Sequence, residues 1–225
     1  LIRFAKAFPS CKQELGRIGA VKAITRALGL LEDNAEHQSW RMVGVQQLSV
    51  GCPDNLLIAV KEGLMGLLLK AIRRHIRSKD IVLVAFHLIV TVLKDGVPLP
   101  LCRSAAEEFT SSRSITLILT AIGLHKRENI AAQGFDAFWV ASFVSDAACA
   151  QLRASGIVPI VLSMLKEDYP ESPIVVCESL KLVKNICDNH DPSKRAFLQC
   201  GGFSTVLTIM SKHMNNESVQ SNGIS

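Results

Sequence analysis

The chain has 225 residues, of which 48% are hydrophobic and only 5% aromatic, with 25 Lys and Arg against 20 Asp and Glu. This composition excludes disordered, collagen-like and disulfide-rich proteins, and a chain of this length can bury a core. The net charge of +5 is too small and too dispersed to indicate a nucleic-acid-binding protein.

The cysteines and the apolar runs indicate in which cellular compartment the protein is located. The seven cysteines lie far apart, with no C-x-x-C pair, which is typical of reduced thiols in an intracellular protein. The longest apolar run, Ile81 to Leu93, contains His87 and is shorter than the roughly 20 residues of a membrane helix. No signal peptide is recognisable at the N-terminus. We therefore expect no membrane insertion and a cytoplasmic location, with the nucleus as the alternative.

A repeated pattern runs along the chain. Apolar helical segments open at Gly19, Gly63, Arg113, Gly156 and Gly202, with separations of 44, 50, 43 and 46 residues. All but the longest of these separations match the period of about 40 to 47 residues in some helical solenoids. Ten residues before the four glycines stand Pro9, Pro53, Asp146 and Pro192. Pro favours the first turn of a helix, Asp favours the N-cap, and Gly permits a left-handed turn, so each unit is predicted to begin with a short helix.

Two further helices are predicted in each unit. A second apolar helix follows the glycine, and after a polar loop comes a longer third helix. The predicted third helices span Glu36 to Val50, Asp80 to Leu93, Glu128 to Ser145 and Pro173 to Asp188. The fifth unit has no such pattern, so it is expected to be incomplete and to fray over residues 215–225.

The fourth unit carries a resemblance to a known family. Its third helix ends Leu182-Val183-Lys184-Asn185-Ile186-Cys187 and continues through Asp191-Pro192 to Gly201-Gly202, which resembles the armadillo repeat. The resemblance implies an all-α superhelix, an armadillo-like solenoid of about four and a half three-helix repeats in one domain, 1–225. The approximate units are 9–52, 53–99, 100–145, 146–191 and 192–225. HEAT repeats, which have two helices per unit, are the nearby alternative.

The resemblance also implies a concave groove that binds a peptide or helix through an asparagine ladder on the third helices. Only Asn185 keeps that asparagine, and the equivalent positions hold Gln47, Thr91 and Ser142. One turn earlier, where the nuclear import adaptors of the family carry tryptophan, stand Val43, His87, Phe138 and Lys181. This departure argues against a receptor for nuclear localisation signals, and Lys181 favours an acidic partner.

Other conspicuous side chains have alternative interpretations. Trp40 lies two turns before Gln47 and is a candidate anchor for a partner, although core packing is the preferred interpretation for it and for Trp139. The densest basic stretch could grip an acidic partner, but its position favours a solvated helix end and loop; it comprises Lys70, Arg73, Arg74, Arg77 and Lys79.

The sequence lacks the common catalytic and phosphate-binding motifs, and its histidines lack metal-ligand spacing. We interpret His190-Asp191 as a turn rather than an acid/base pair. The sequence thus predicts a protein-interaction scaffold that is not an enzyme and uses no cofactor. The alternative is a regulatory or oligomerising segment of a larger signalling enzyme such as a ligase or kinase, suggested by the start at Leu1 and the unfinished fifth unit.

Overall fold

The computed structural model describes residues 11–30, 34–95 and 97–224, and all regular secondary structure within them is α-helical. The helices are α1 (Cys11–Arg17), α2 (Ala20–Leu28), α3 (Ala35–Ser49), α4 (Pro53–Lys61), α5 (Leu64–Arg74), α6 (Lys79–Lys94), α7 (Leu99–Phe109), α8 (Ser112–His125), α9 (Glu128–Val144), α10 (Asp146–Ala154), α11 (Ile157–Glu167), α12 (Pro173–Cys187), α13 (Asp191–Gln199), α14 (Gly202–Lys212) and α15 (Glu217–Ile224). They divide into two compact units between Phe109 and Thr110.

The first unit contains α1 to α7, and its helices form because apolar side chains recur on one face. On α5, Leu64, Leu68 and Ile72 are spaced by four residues and fully buried, and burial of such a side chain contributes about 1.5 to 3 kcal/mol. Asn55 on α4 is also buried, and its amide donates to the carbonyls of Lys12 at 2.9 Å and Leu48 at 2.8 Å. Asn55 therefore ties α4 to two of the preceding helices, α1 and α3.

The second unit contains α8 to α15. Its longest helix, α9, buries Phe135 and Phe138 completely and packs along α12. The C-terminus of α12 is fixed by Arg153 of α10, which donates to the carbonyls of Ile186 at 3.0 Å and Asp188 at 2.8 Å. A guanidinium that bonds the last carbonyls also opposes the negative end of the helix dipole. The position of α12 is thus fixed along its side and at its end.

Glycines mark the turns between first and second helices. Gly19, Gly63 and Gly156 have φ of 88°, 81° and 68°, and this left-handed backbone favours glycine. For the last of these turns the sequence predicts Gly202 as the left-handed residue. That prediction is wrong, because the positive φ, 69°, belongs to Gly201. Gly202 is instead the first residue of α14, where an added Cβ would lie 2.4 Å from the Phe197 ring.

Two other expectations differ from the structure. Ser145, rather than Asp146, is the N-cap of α10, and its hydroxyl accepts a hydrogen bond from the Ala148 N–H at 3.3 Å. The fifth unit does have a third helix, α15, so the prediction that this segment lacks it is wrong. Val219 of α15 is fully buried, and Gln220 donates to the carbonyls of Met210 and His213. Pro9 and Ser225 lie outside the described residues.

Among the described helices, none taken singly is both long and apolar enough to cross a bilayer. The pair α10 and α11 satisfies the length and composition criteria only when the two are joined, and they meet at a bend of 69°.

Candidate functional site

Four side chains meet where α9 and α12 lie side by side in the second unit. Trp139 and Ser142 come from α9, and Lys181 and Asn185 come from α12. Ser142 is buried, whereas the other three are partly exposed. We call this cluster the α9–α12 face. It joins three of the predicted groove residues, Ser142, Lys181 and Asn185, to a tryptophan that was assigned to the core.

Hydrogen bonds orient Asn185 on this face. Its side-chain Nδ2 donates to Ser142 Oγ at 2.8 Å, and Ser142 Oγ donates to the backbone carbonyl of Trp139 at 2.7 Å. A carboxamide has two N–H donors and a carbonyl acceptor. The bond to Ser142 uses one donor, so the second N–H and the carbonyl oxygen can pair with the backbone of a bound segment. Ser142 acts by positioning Asn185.

Lys181 covers part of the tryptophan. Its Nζ lies 5.3 Å from the centre of the Trp139 ring and 2.9 Å from Glu178 Oε1. Both arrangements are favourable for an ammonium group: the ring face is the negative part of the aromatic quadrupole, and the carboxylate is an ion-pair partner. The Lys181 side chain is about one-third exposed, so it presents a positive charge at the middle of the face.

An open cavity of about 820 Å³ continues from this face between α9, α12, α13, α14 and α15. We call it the terminal cavity. Phe143 and Phe203 line it and are 74% and 65% exposed. Phe203 meets Phe197 edge-on, with 5.4 Å between ring centres. Such an accumulation of exposed aromatic side chains is typical of a binding surface.

The remaining predicted groove residues belong to the first unit. Gln47 is half-buried on α3, and His87 is exposed on α6. Thr91 is 6% exposed and its hydroxyl donates to the His87 carbonyl at 2.9 Å, so this side chain is used within its own helix. Trp40 is 58% exposed, and the interpretation of Trp40 as core is therefore wrong.

The basic stretch occupies a helix end and the turn that follows. Arg73 and Arg74 form the last turn of α5, Arg77 lies in the turn, and Lys79 begins α6. These side chains and Lys70 are exposed. Cations at the end of α5 complement its dipole, which agrees with the solvated interpretation of the stretch.

Among the described residues, no group of three or more His, Cys, Asp or Glu could hold a metal ion. Burial raises the pKa of the Cys102, Cys149, Cys177 and Cys187 thiols, which disfavours the reactive thiolate. His190 caps α13, because its Nδ1 accepts from the Ser193 N–H at 3.2 Å. The turn interpretation of His190 is confirmed.

The alignment of the repeats predicted the wrong aromatic residue of α9 beside Lys181, one position before the correct one. It placed Phe138 in register with Lys181, but Phe138 is fully buried and Trp139 is the residue beside Lys181. Because α9 is apolar on nearly all sides, its periodicity could not indicate which aromatic residue faces outward. Only the contact with α12 distinguishes them.

The comparisons with known proteins fix the fold. No known family profile and no curated protein sequence matches the chain. Among solved structures, an engineered protein aligns with a TM-score of 0.76 at 13% identity, over 96% of this chain and 81% of its own. A designed armadillo repeat protein in complex with the peptide (KR)4 aligns at 0.71 and 15% identity, over 95% and 82% of the two chains. Another designed armadillo repeat protein aligns at 0.73 and 15% identity, over 95% and 83%.

These likenesses define the class of architecture. The chain has an all-α, armadillo-like repeat fold, as the sequence predicted. Two of these structural neighbours are designed armadillo repeat proteins.

Proposed function

We propose that the protein is a protein-interaction module that binds a peptide or helix of a partner on the α9–α12 face. The observation that carries this proposal is the fixed amide of Asn185, held by Ser142 at 2.8 Å beside the partly exposed Trp139. An oriented amide pairs with backbone groups, and an aromatic ring supplies apolar contact. Both are means of holding a polypeptide.

The fold supports the same proposal. A designed armadillo repeat protein of similar structure is in complex with the peptide (KR)4, so this architecture can present a surface to a peptide. In this chain, however, Lys181 stands over the tryptophan ring, and a basic peptide would place further cations beside it. We therefore propose that the partner segment is acidic.

The first unit offers a second, smaller set of contacts. Gln47 is half-buried, and Trp40 and His87 are exposed on its third helices. We propose that these three residues contribute to partner binding, whereas the buried Thr91 stabilises α6. We do not propose the basic stretch from Lys70 to Lys79 as a partner site, and nucleic acid is not proposed as a partner.

No catalytic activity and no cofactor are proposed for this chain. The α9–α12 face offers an oriented amide, an aromatic ring and the ammonium group of Lys181, which are groups that hold a polypeptide. The seven unpaired cysteines favour a reducing compartment such as the cytoplasm. We also propose that the chain forms one domain, 1–225, with repeat units 9–52, 53–99, 100–145, 146–191 and 192–225.

Substitution on the face tests the proposal. Affinity capture of partners from the native cell should lose a specific partner when Lys181 and Asn185 are both changed to Ala. The matched control changes Lys166 and Thr208 to Ala. Both are exposed residues of the second unit that lie outside the face. If the control and the double variant retain the same partners while both are folded, the α9–α12 face is not the binding surface.

A further inference from the structure

Three polar side chains form a row along α12: Glu178, Lys181 and Asn185. They are spaced by three and four residues, which brings side chains to the same side of a helix. Two of them reach α9, since Asn185 donates to Ser142 Oγ at 2.8 Å and Lys181 Nζ lies 5.3 Å from the centre of the Trp139 ring. Glu178 Oε1 accepts a hydrogen bond from Lys181 Nζ at 2.9 Å. The row therefore links Glu178 to Trp139 through Lys181.

The carboxylate of Glu178 is largely removed from water. Its side chain is 18% exposed, and Oε2 is buried and has no hydrogen-bond partner among the described residues. Oε1 forms an ion pair with the Lys181 ammonium group. Separation of such a pair would leave a mostly buried negative charge without its cation, which is unfavourable. Glu178 therefore retains the Lys181 ammonium group more strongly than a fully exposed carboxylate would.

The aromatic ring by itself does not explain the position of Lys181. A lysine has a flexible four-carbon stem, and ordering that stem has an entropic cost. Contact of a cation with an aromatic ring gives only a small gain where the cation is in contact with water, and the Lys181 side chain is 33% exposed. Glu178 on the same helix and Trp139 on α9 together select a conformation of Lys181 that reaches both. The ammonium group lies over the ring because Glu178 holds it there.

We propose that Glu178 is a positioning residue, which holds the Lys181 ammonium group over Trp139 so that the free protein covers its own aromatic surface. A ligand of the α9–α12 face then meets the partly exposed Asn185 amide directly. It reaches the ring only by displacing Lys181 or by packing on the apolar stem of that lysine. Glu178 thus determines how much of the ring a ligand can contact. This inference rests on the proposed function, since it names what regulates access to the same face.

Quenching of Trp139 fluorescence by acrylamide tests this proposal. Acrylamide is a small neutral solute that quenches an indole ring on contact, so the quenching constant reports how far the ring is covered. All proteins in the experiment carry Trp40→Phe, which leaves Trp139 as the sole tryptophan. Glu178→Gln keeps the size of the side chain and removes its charge. The quenching constant should rise in Glu178→Gln, toward the value measured for Lys181→Ala, in which the ring has lost its cover.

A double-mutant cycle separates positioning from other effects of the lost charge. With Lys181→Ala already present, Glu178→Gln should leave the quenching constant unchanged, because no ammonium group remains to be positioned. Glu178→Asp, which retracts the carboxylate by one methylene group, should give an intermediate constant. The matched control Glu167→Gln makes the same change of charge on an exposed residue of α11 and should have no effect. Urea denaturation verifies that each variant is folded.

Two results would overturn the proposal: an unchanged quenching constant in Glu178→Gln, or an equal effect of Glu178→Gln with and without Lys181. The quenching experiment needs no partner, so its outcome is separate from that of the proposed function. If the constant is unchanged but the Lys181 and Asn185 variant loses its cellular partner, the proposed function stands and the role of Glu178 is rejected. If the constant rises as expected but that variant keeps its partners, the positioning of Lys181 is supported and the proposed function is rejected.

Discussion

The ammonium nitrogen of Lys181 lies 5.3 Å from the centre of the Trp139 ring. This contact joins the two longest helices of the described part of the second unit and places a cation on the surface that a ligand would otherwise use. The aromatic face is therefore already occupied by a positive charge of the protein itself. The sign of that charge determines which partners the surface accepts.

Reversal of this charge should reverse the preference of the face. In Lys181→Glu, two carboxylates, at positions 178 and 181, would stand beside an uncovered tryptophan. We expect the affinity for (KR)4 to rise by about tenfold, which corresponds to about 1.4 kcal/mol, and the affinity for an acidic peptide to fall. Fluorescence anisotropy measures both. The neutral variant Lys181→Met separates loss of the cation from gain of the carboxylate, and equal affinity of all three proteins for (KR)4 would contradict the argument.

The same substitution should have opposite effects at two glycines of the second unit. Gly156 has φ of 68° and Gly123 lies inside α8, and neither has an atom within 4 Å of an added Cβ. Gly156→Ala should therefore lower the free energy of unfolding by about 1 to 2 kcal/mol through backbone strain alone. Gly123→Ala should raise it by about 0.5 to 1 kcal/mol. Urea denaturation measures both, and a change of the same sign would refute the assignment of the turn.

Tyr169 should make the fold sensitive to alkali. Its side chain is 4% exposed, and burial raises the pKa of Tyr169 to about 12. Since the unfolded residue titrates near pH 10, the contribution of Tyr169 to stability is complete below that pH. It is lost as the pH rises to about 12, and the shift corresponds to about 2 to 3 kcal/mol. Tyr169 is the single tyrosine of the chain, so tyrosinate absorbance reports its titration directly.

The variant Tyr169→Phe is the control for this titration and a test in itself. The Tyr169 hydroxyl is buried and has no hydrogen-bond partner among the described residues. Its removal should leave the free energy of unfolding at neutral pH unchanged or raise it by about 1 kcal/mol. The difference between the variant and the wild type should grow between pH 10 and 12. A variant that loses more than 1 kcal/mol at neutral pH would show that the hydroxyl is paired.

The sequence predicts the helices well because their ends carry physical signals. The predicted third helices Glu128 to Ser145 and Pro173 to Asp188 differ from α9 and α12 by one residue at the C-terminus. Pro173 marks the start of α12, and the repeat period fixes the order of the helices. The short helix α15 escaped prediction because it is mostly polar, with Val219 as its single buried residue among those described. Its place is fixed by packing against α12 and α14.

The candidate site was only partly predictable. Ser142, Lys181 and Asn185 follow from the repeat register, because equivalent positions of neighbouring third helices meet. Trp139 does not, since α9 is apolar around most of its surface and either neighbouring aromatic residue could have been the buried one. The terminal cavity was not predicted either, because its lining comes from five different helices. A site between helices is therefore defined by contacts between those helices, and the residue pattern of a single helix does not predict them.

The fluorescence of Trp139 tests most directly whether a partner binds the α9–α12 face. Trp40 and Trp139 are the two tryptophans of the chain, and Trp40→Phe leaves Trp139 as the sole emitter. Titration of this variant with an unlabelled acidic peptide should shift the Trp139 emission, and the titration midpoint should match that of fluorescence anisotropy measured on the same variant. Saturable binding with an unchanged Trp139 spectrum would contradict the account, because the partner would then lie elsewhere on the molecule.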